Sequence, residues 1–203
     1  MRTTPPPVEV VAAPVLTGQR YAGRPVYFSD VIVRRGNVAR SFAELRGRSW
    51  AYNDPDSQSG YNLVRCTLAR MGSTAGFFGR VMAAGSHQQA IRMVAAGLVD
   101  ASAIDSQVLA IELRDHPEFS TAVDVIDALG PSTIQPFVAA THLPASMRSQ
   151  MRDIVVSLHR KANARAALSQ GFIERFAAVT DGAYDDIRGM IEACEAANFL
   201  TLR

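Results

Sequence analysis

The chain alternates between strand-like and helix-like patterns of apolar residues. An apolar run predicts a buried strand at Val26–Val33, and shorter runs predict strands at 49–53, 77–82, 99–104 and 121–128. Apolar residues at helical spacing predict helices at 59–71, between Ser86 and Gly97, at 105–113, at 146–159, in a piece that reaches Ser169, and at 184–197. Strands that alternate with helices are typical of α/β folds with parallel sheets, so the sequence predicts that class.

Composition and charge exclude several classes of protein. The 203 residues are 48% hydrophobic and 20% charged, which is ordinary for a globular protein. The 21 basic and 19 acidic residues are scattered, so we expect no nucleic-acid partner. The apolar stretch Val8–Leu16 is far shorter than the roughly 18 residues of a membrane-spanning helix. The first residues lack the pattern of a secretory signal, so we expect the chain as written to carry no export signal.

Residues that could support catalysis or metal binding are dispersed. Cys66 and Cys194 each stand alone, without a second cysteine or histidine at metal-ligand spacing. We expect both to be buried, and the sequence leaves open whether they form a disulfide. No motif of a catalytic nucleophile or a metalloprotease is present. We therefore predict no metal, no cofactor and no enzymatic activity.

The segment NDPDSQSG at 53–60 lies between a predicted strand and a predicted helix. The first amides of a helix have no internal partners and carry a partial positive charge, which favours anions. Ser57 and Ser59 add hydroxyl donors, and Gln58 adds an amide donor. The segment has no lysine and does not match a nucleotide P-loop. Two interpretations stay open: an oxyanion site, or simple capping of the helix by Asp56 or Ser57.

Two further polar residues lie at the starts of predicted helices. His87 follows Ser86, where its imidazole could donate to an oxyanion or help to cap the helix. Asp105 follows a buried strand, at the carboxyl end where α/β sheets place ligand-binding groups. The alternative for Asp105 is the N-cap of the next helix. A carboxylate that faces an oxyanion would select ligands carrying a proton or an amine.

Several motifs occur in the order found in the phosphate-, phosphite- and phosphonate-binding proteins of ABC importers. They are PVYFSDVIV at 25–33, FAELRG at 42–47, DPDSQSG at 54–60, GSHQQAI at 85–91 and GLVDASAIDS at 97–106. The chain resembles this family. The resemblance implies a type 2 periplasmic-binding fold, in which crossing strands join two α/β lobes around a ligand cleft. It also implies capture of a phosphate-like oxyanion in the periplasm for the membrane permease of an importer.

The resemblance also implies which residues contact the ligand. They are Tyr27, Ser57, Gln58, Ser59, His87, Asp105 and Ser106. The family usually has Ser-Thr-Ser where this chain has Ser57-Gln58-Ser59, so Gln58 changes the size and polarity of the site. Residues 131–136 lack the carboxylate with which some phosphonate binders hold an amino group, so an aminoalkyl ligand is less expected.

The motifs match the C-terminal part of a full family member, so the first lobe is expected to be incomplete. Residues 1–33 would form a remnant of lobe 1 and the first hinge strand, 34–129 a complete lobe 2, and 130–203 the return to lobe 1 with the C-terminal helices. An incomplete lobe exposes a sheet edge, so we expect self-association. Half a cleft supplies half of the contacts, so we expect the isolated chain to bind its solute weakly.

Two other functions of the same fold stay open. One is a sensor or regulatory domain that reads a small molecule without transporting it, which the missing export signal favours slightly. The other is an enzyme of thiamine-precursor synthesis, for which the sequence offers no reaction motif.

Overall fold

The computed structural model describes residues 7–202, which form two compact units. Unit 1 comprises residues 7–26 and 133–186, and unit 2 comprises residues 27–132 and 187–202. The chain therefore leaves unit 1, builds most of unit 2, returns to unit 1 and adds its last residues to unit 2. The lobes expected from the sequence, at 1–33, 34–129 and 130–203, stay a prediction.

The strands and helices alternate along most of the described chain. The strands are β1 (Val8–Leu16), β2 (Val26–Arg34), β3 (Ser49–Tyr52), β4 (Arg80–Ala83), β5 (Ala101–Asp105), β6 (Val123–Thr133), β7 (Phe137–Ala140) and β8 (Ile173–Ala177). The α-helices are α1 (Leu63–Arg70), α2 (His87–Ala95), α3 (Ser106–Asp115), α4 (Pro117–Ala122), α5 (Ala145–Ser157), α6 (Ala162–Gln170) and α7 (Asp185–Ala196). A π-helix at Gln58–Asn62 leads directly into α1. No helix within residues 7–202 combines the length and apolarity needed to cross a membrane.

Unit 2 is built on a five-stranded sheet in the order β4-β3-β5-β2-β6. Strand β3 runs parallel to both β4 and β5, but β2 runs antiparallel to β5. The predicted parallel arrangement is therefore correct for β3, β4 and β5 and wrong for β2. Successive strands run parallel when a packed crossover helix joins them. Strands β2 and β3 are instead joined by a segment with only a 3-10 turn at Phe42–Leu45.

Both faces of the central strands β2 and β5 are buried, which explains their nearly continuous apolar runs. Along β2, Val31 and Val33 belong to one core cluster and Ile32 to another, as alternate residues of a strand should. The first cluster contains Trp50, whose indole stacks on Phe78 with ring centroids 4.5 Å apart. The second cluster lies against the amphipathic helix α2.

The C-terminal residues complete the first core cluster of unit 2. Its buried members include Met190, Cys194, Phe199 and Leu202 together with Cys66. A guanidinium nitrogen of Arg65 donates to the carbonyl of Leu200, and the amide of Leu202 donates to the hydroxyl of Tyr61 at 3.0 Å. The two cysteines are both free and buried.

Unit 1 is a three-stranded antiparallel sheet in the order β7-β1-β8, with α5 and α6 packed on it. One of its buried core clusters contains Val11, Ala12, Ala139 and Phe176. Glu9 on β1 binds two residues of α5, with the Arg148 Nε at 2.5 Å and an Arg152 nitrogen at 2.8 Å. The sequence patterns did not predict these three strands, because β7 and β8 are short and β1 lacks regular alternation.

Two other predicted strands are displaced. The strand expected at 77–82 begins only at Arg80, because Phe77 and Phe78 turn inward to join the aromatic core. The strand expected at 121–128 begins at Val123 and continues to Thr133. Residues 121 and 122 still belong to α4, whose first residue is Pro117, a favourable position for proline.

Candidate functional site

The loop between β3 and the π-helix is shaped by its own polar side chains. A side-chain oxygen of Asp54 accepts a hydrogen bond from the Asp56 amide at 2.8 Å, which closes a tight turn. Ser57 is the N-cap residue, and its hydroxyl accepts from the Gly60 amide at 3.1 Å. The capping interpretation is therefore correct for Ser57 and wrong for Asp56. Because Ser57 caps the helix, the prediction of an oxyanion site depends on which other side chains lie near this helix start.

Ser59 is the buried centre of this helix start, with 3% of its surface exposed. Its Oγ lies 3.0 Å from Nε2 of His87 and 3.4 Å from Oγ of Ser57. Its backbone carbonyl accepts a hydrogen bond from the hydroxyl of Ser29 on β2 at 2.8 Å. The structure thus brings together three of the predicted site residues, Ser57, Ser59 and His87. The hydrogen bond from Ser29 ties the loop to β2, and sequence reasoning missed this residue.

His87 reaches the loop from the first turn of α2. Ser86 caps this helix by accepting from the Gln89 amide at 3.0 Å, which fixes where the histidine begins the helix. Burial lowers the pKa of His87 from 6.5 to about 4, because a charged imidazolium would lose its hydration. At neutral pH the ring is therefore uncharged and can donate through one nitrogen only.

Asn53 and Gly60 also belong to this cluster, and Asn53 was missed as a functional residue. The Asn53 side-chain nitrogen lies 3.3 Å from Nε2 of His87. A Cβ atom at position 60 would collide with the side-chain oxygen of Asn53, so only glycine leaves room for this asparagine. Both residues stand in the segment that the sequence singled out, but no spacing rule relates an asparagine there to a histidine 34 residues later.

Gln58 is placed differently from the serines on either side of it. Its side-chain nitrogen lies 3.3 Å from the hydroxyl of Ser132, at the end of β6, and 3.2 Å from the sulfur of Met190 on α7. The amide hydrogens therefore point towards these residues of unit 2. The part of Gln58 that remains for an oxyanion is its backbone amide at the helix start.

The remaining predicted residues lie on neighbouring strands and helix ends. Tyr27 opens the β2 segment of unit 2 and is 1% exposed, on the same strand face as Ser29. Asp105 is the N-cap of α3 and accepts from the amides of Gln107 and Val108. The Ser106 hydroxyl accepts from the Phe28 amide at 3.2 Å. The capping interpretation of Asp105 is thus correct, while contact with a ligand stays a prediction for all three.

The cluster offers neutral hydrogen-bond donors. Its donors are the Ser57 and Ser59 hydroxyls, an uncharged imidazole and the first amides of a helix. Within residues 7–202 no three His, Cys, Asp or Glu side chains come together as metal ligands. Such an arrangement can hold an oxyanion reversibly through hydrogen bonds.

A second concave surface lies within unit 1. It is a cavity of about 560 Å³ lined by Val8, Glu9, Val10, Thr141, Arg152 and residues 178–181. The charges of Glu9 and Arg152 are already paired with each other at 2.8 Å. The charge of Arg152 at this cavity is therefore already neutralised by Glu9.

A sequence model of a known family matches most of the chain. The family is described as "ABC transporter, phosphonate, periplasmic substrate-binding protein", and the match covers residues 8–184. The matched segment contains the whole Ser57–His87 cluster.

Solved structures of binding proteins share the fold. A binding protein component of an ABC phosphonate transporter from Pseudomonas aeruginosa has a TM-score of 0.79 and 21% identity, over 94% of this chain and 64% of that one. PhnD1 from Prochlorococcus marinus, solved with methylphosphonate, has a TM-score of 0.78 and 18% identity, over 96% and 72%. A Xanthomonas citri protein solved with a chloride ion gives 0.68 and 18%, over 94% and 71%.

These likenesses confirm the predicted α/β fold of the type 2 periplasmic-binding proteins. The chain spans less than two thirds of the length of the Pseudomonas aeruginosa protein, because it covers 64% of it.

Proposed function

The chain belongs to the family of periplasmic substrate-binding proteins of phosphonate ABC transporters, and from this premise we propose that it binds a phosphate-like oxyanion. The ligand class is phosphonate, phosphite or phosphate. The family and the Pseudomonas aeruginosa neighbour are described as binding proteins, and the Prochlorococcus marinus neighbour was solved with methylphosphonate bound. Binding, without chemical conversion of the ligand, is therefore the proposed activity.

The observation that carries this proposal is the neutral cluster at the start of the π-helix. Two serine hydroxyls 3.4 Å apart, one of them 3.0 Å from an imidazole nitrogen, converge beside the first amides of the helix. Hydrogen bonds to a charged acceptor are stronger than neutral ones, so such donors favour an anion over water. No neutralising lysine is needed, and release of the ligand is correspondingly easy.

We propose the following division of roles among the predicted residues. Ser57 and Ser59 donate their hydroxyl hydrogens, and Gln58 contributes its backbone amide while its side chain fastens the loop to β6 and α7. Tyr27 adds a further hydrogen bond, and His87 adds one through the ring nitrogen that carries its proton. Asp105 and Ser106 border the ligand at the carboxyl end of β5, where they also hold the backbone of α3 and β2.

The partners follow from the family. We propose that the protein works in the periplasm and delivers its ligand to the membrane permease of an ABC importer. Self-association is a further part of the proposal, supported by large apolar side chains that unit 1 exposes: Val8, Phe137, Val138, Met147 and Ile154. Analytical ultracentrifugation should show a concentration-dependent dimer that Ile154→Glu weakens, and a monomer at all concentrations would contradict this part.

The binding proposal is tested by titrating the isotopically labelled chain and following backbone amide NMR shifts, a measurement that detects both micromolar and millimolar affinity. The ligands are methylphosphonate, phosphite, phosphate and, as a control, sulfate. We expect saturable shifts at Gln58, Ser59, Gly60 and His87 with at least one of the first three anions. Unchanged spectra with all of them would overturn the proposed function.

A further inference from the structure

The imidazole of His87 has two polar neighbours at the same nitrogen. Nε2 lies 3.0 Å from Oγ of Ser59 and 3.3 Å from the side-chain nitrogen of Asn53. The other ring nitrogen, Nδ1, is buried and has no hydrogen-bond partner among the described residues. The side-chain oxygen of Asn53 is likewise buried and without one.

These neighbours restrict where the imidazole carries its proton. The amide nitrogen of an asparagine side chain has donors and no lone pair to accept with. Its approach to Nε2 therefore requires that Nε2 present a lone pair, which places the single proton of a neutral imidazole on Nδ1.

Ser59 competes for the same lone pair. A serine hydroxyl has one hydrogen, which can point to Nε2 of His87 or to a bound oxyanion, but not to both. If Ser59 were the sole donor to Nε2, capturing a ligand would leave a buried acceptor without a partner.

We propose that Asn53 is a positioning residue of the oxyanion site. It fixes His87 as the Nδ1–H tautomer and keeps Nε2 hydrogen-bonded when Ser59 turns its hydroxyl hydrogen to the ligand. This role rests on the proposed function of the Ser57–Ser59 loop.

The packing around Gly60 supports this assignment. The asparagine oxygen lies where a side chain at position 60 would begin, so the missing Cβ of glycine is what admits Asn53 beside His87. Gly60 and Asn53 therefore act as a pair: one provides the space, and the other occupies it with the amide that reaches Nε2.

The tautomer can be measured directly, without any ligand. Nitrogen-15 NMR of histidine-labelled protein at pH 7 should show Nδ1 protonated and Nε2 unprotonated in His87. Asn53→Asp replaces the donor by a carboxylate, which only accepts, and should move the proton to Nε2. Asn37→Ala, which removes the partner of the Ala39 amide elsewhere in unit 2, should leave the His87 signals unchanged. A protonated Nε2 in the unmodified chain at pH 7 would overturn the assignment.

The coupling to Ser59 is tested by a double-mutant cycle with methylphosphonate. Asn53→Ala should weaken binding about tenfold, as expected when one buried group loses its partner. In a chain that already carries Ser59→Ala, the same change should weaken binding less than twofold, because no hydroxyl then leaves Nε2. Equal losses in both backgrounds would overturn the proposed link. If the unmodified chain did not bind methylphosphonate, the proposed function would fail for that ligand, while the NMR spectrum would still decide the tautomer.

Discussion

Two helices of unit 2 begin with the same kind of serine cap, but the residues around the two caps differ. Ser57 accepts from the amide three residues on at 3.1 Å, and Ser86 does the same at 3.0 Å. Two residues after the first cap stands the buried hydroxyl of Ser59, whereas the corresponding residue after the second is the half-buried Gln88. The first helix starts with a π-turn, and the second is a regular α-helix.

The difference shows that a serine cap marks where a helix starts but does not by itself make a site. At the Ser57 start, the widened π-turn and the glycine at position 60 leave room for Asn53, which follows β3, to contact His87 of α2. π-turns of this kind are frequent at functional sites. At the Ser86 start, the first residue of the helix is His87, and its imidazole contacts Ser59 at the other helix start.

The largest expected effect comes from removing both hydroxyls of the first helix start. Ser57→Ala combined with Ser59→Ala should weaken oxyanion binding by about 2 to 4 kcal/mol, since each hydrogen bond to a charged group contributes roughly 1.5 to 3 kcal/mol and the two are not fully additive. Amide-shift titrations would measure the affinity, and circular dichroism would check the fold. Unchanged affinity in a folded double mutant would remove this loop from the site.

Acid should destabilise the protein through the histidine that links the two helix starts. The pKa of His87 is lowered from 6.5 to about 4 by burial, so between these values the unfolded chain binds a proton that the folded chain does not. The free energy of unfolding should fall as the pH drops from 6.5 towards 4, by up to about 3 kcal/mol. Urea unfolding at a series of pH values would measure this slope.

The matched variants separate His87 from other acid-sensitive groups. His87→Gln should flatten the slope between pH 6.5 and 4, whereas His142→Gln, at an exposed position of unit 1, should leave it as it was. A slope that survives the loss of His87 would assign the acid sensitivity elsewhere.

A smaller effect is expected from removing the hydroxyl of Tyr27. Tyr27→Phe should weaken oxyanion binding by about 1.5 kcal/mol, the lower end for a hydrogen bond to a charged group, and should leave stability nearly unchanged. Titration and thermal unfolding of the same sample would separate the two. A lowered melting temperature with full affinity would mean that the hydroxyl serves the fold of β2.

The smallest effect is expected at the second helix start. Ser86→Ala removes a cap and should lower the free energy of unfolding by about 1 kcal/mol. Affinity should change less than in any of the variants above, because Ser86 caps α2 through the Gln89 amide. A loss of binding as large as that of the Ser57 and Ser59 double mutant would show that the two helix starts act as one site.

The sequence predicted the elements whose signals are local. Val26–Val33 reads as a strand because both of its faces are buried, and the caps at Ser86 and Asp105 follow from short polar side chains before apolar helical runs. The Ser57–Ser59 loop could be singled out for the same reason, since a helix start after a strand is a local feature.

What the sequence could not predict depends on contacts between distant residues. The partners of Gln58 are Ser132 and Met190, which lie 74 and 132 residues further along the chain. Asn53 gains its role only because α2 carries His87 beside it. Strands β7 and β8, of four and five residues, are defined by pairing with β1 rather than by their own patterns.

The way residues 187–202 close the first core cluster of unit 2 has a consequence for protein synthesis. A ribosome releases residues 27–132 long before it adds Phe199 and Leu202, yet these late residues complete the packing around Cys66 and Tyr61. Because packing between such distant segments must wait for both of them, unit 2 stays incompletely packed during translation. We therefore expect unit 2 of the nascent chain to stay open and loosely packed until residues 187–202 emerge.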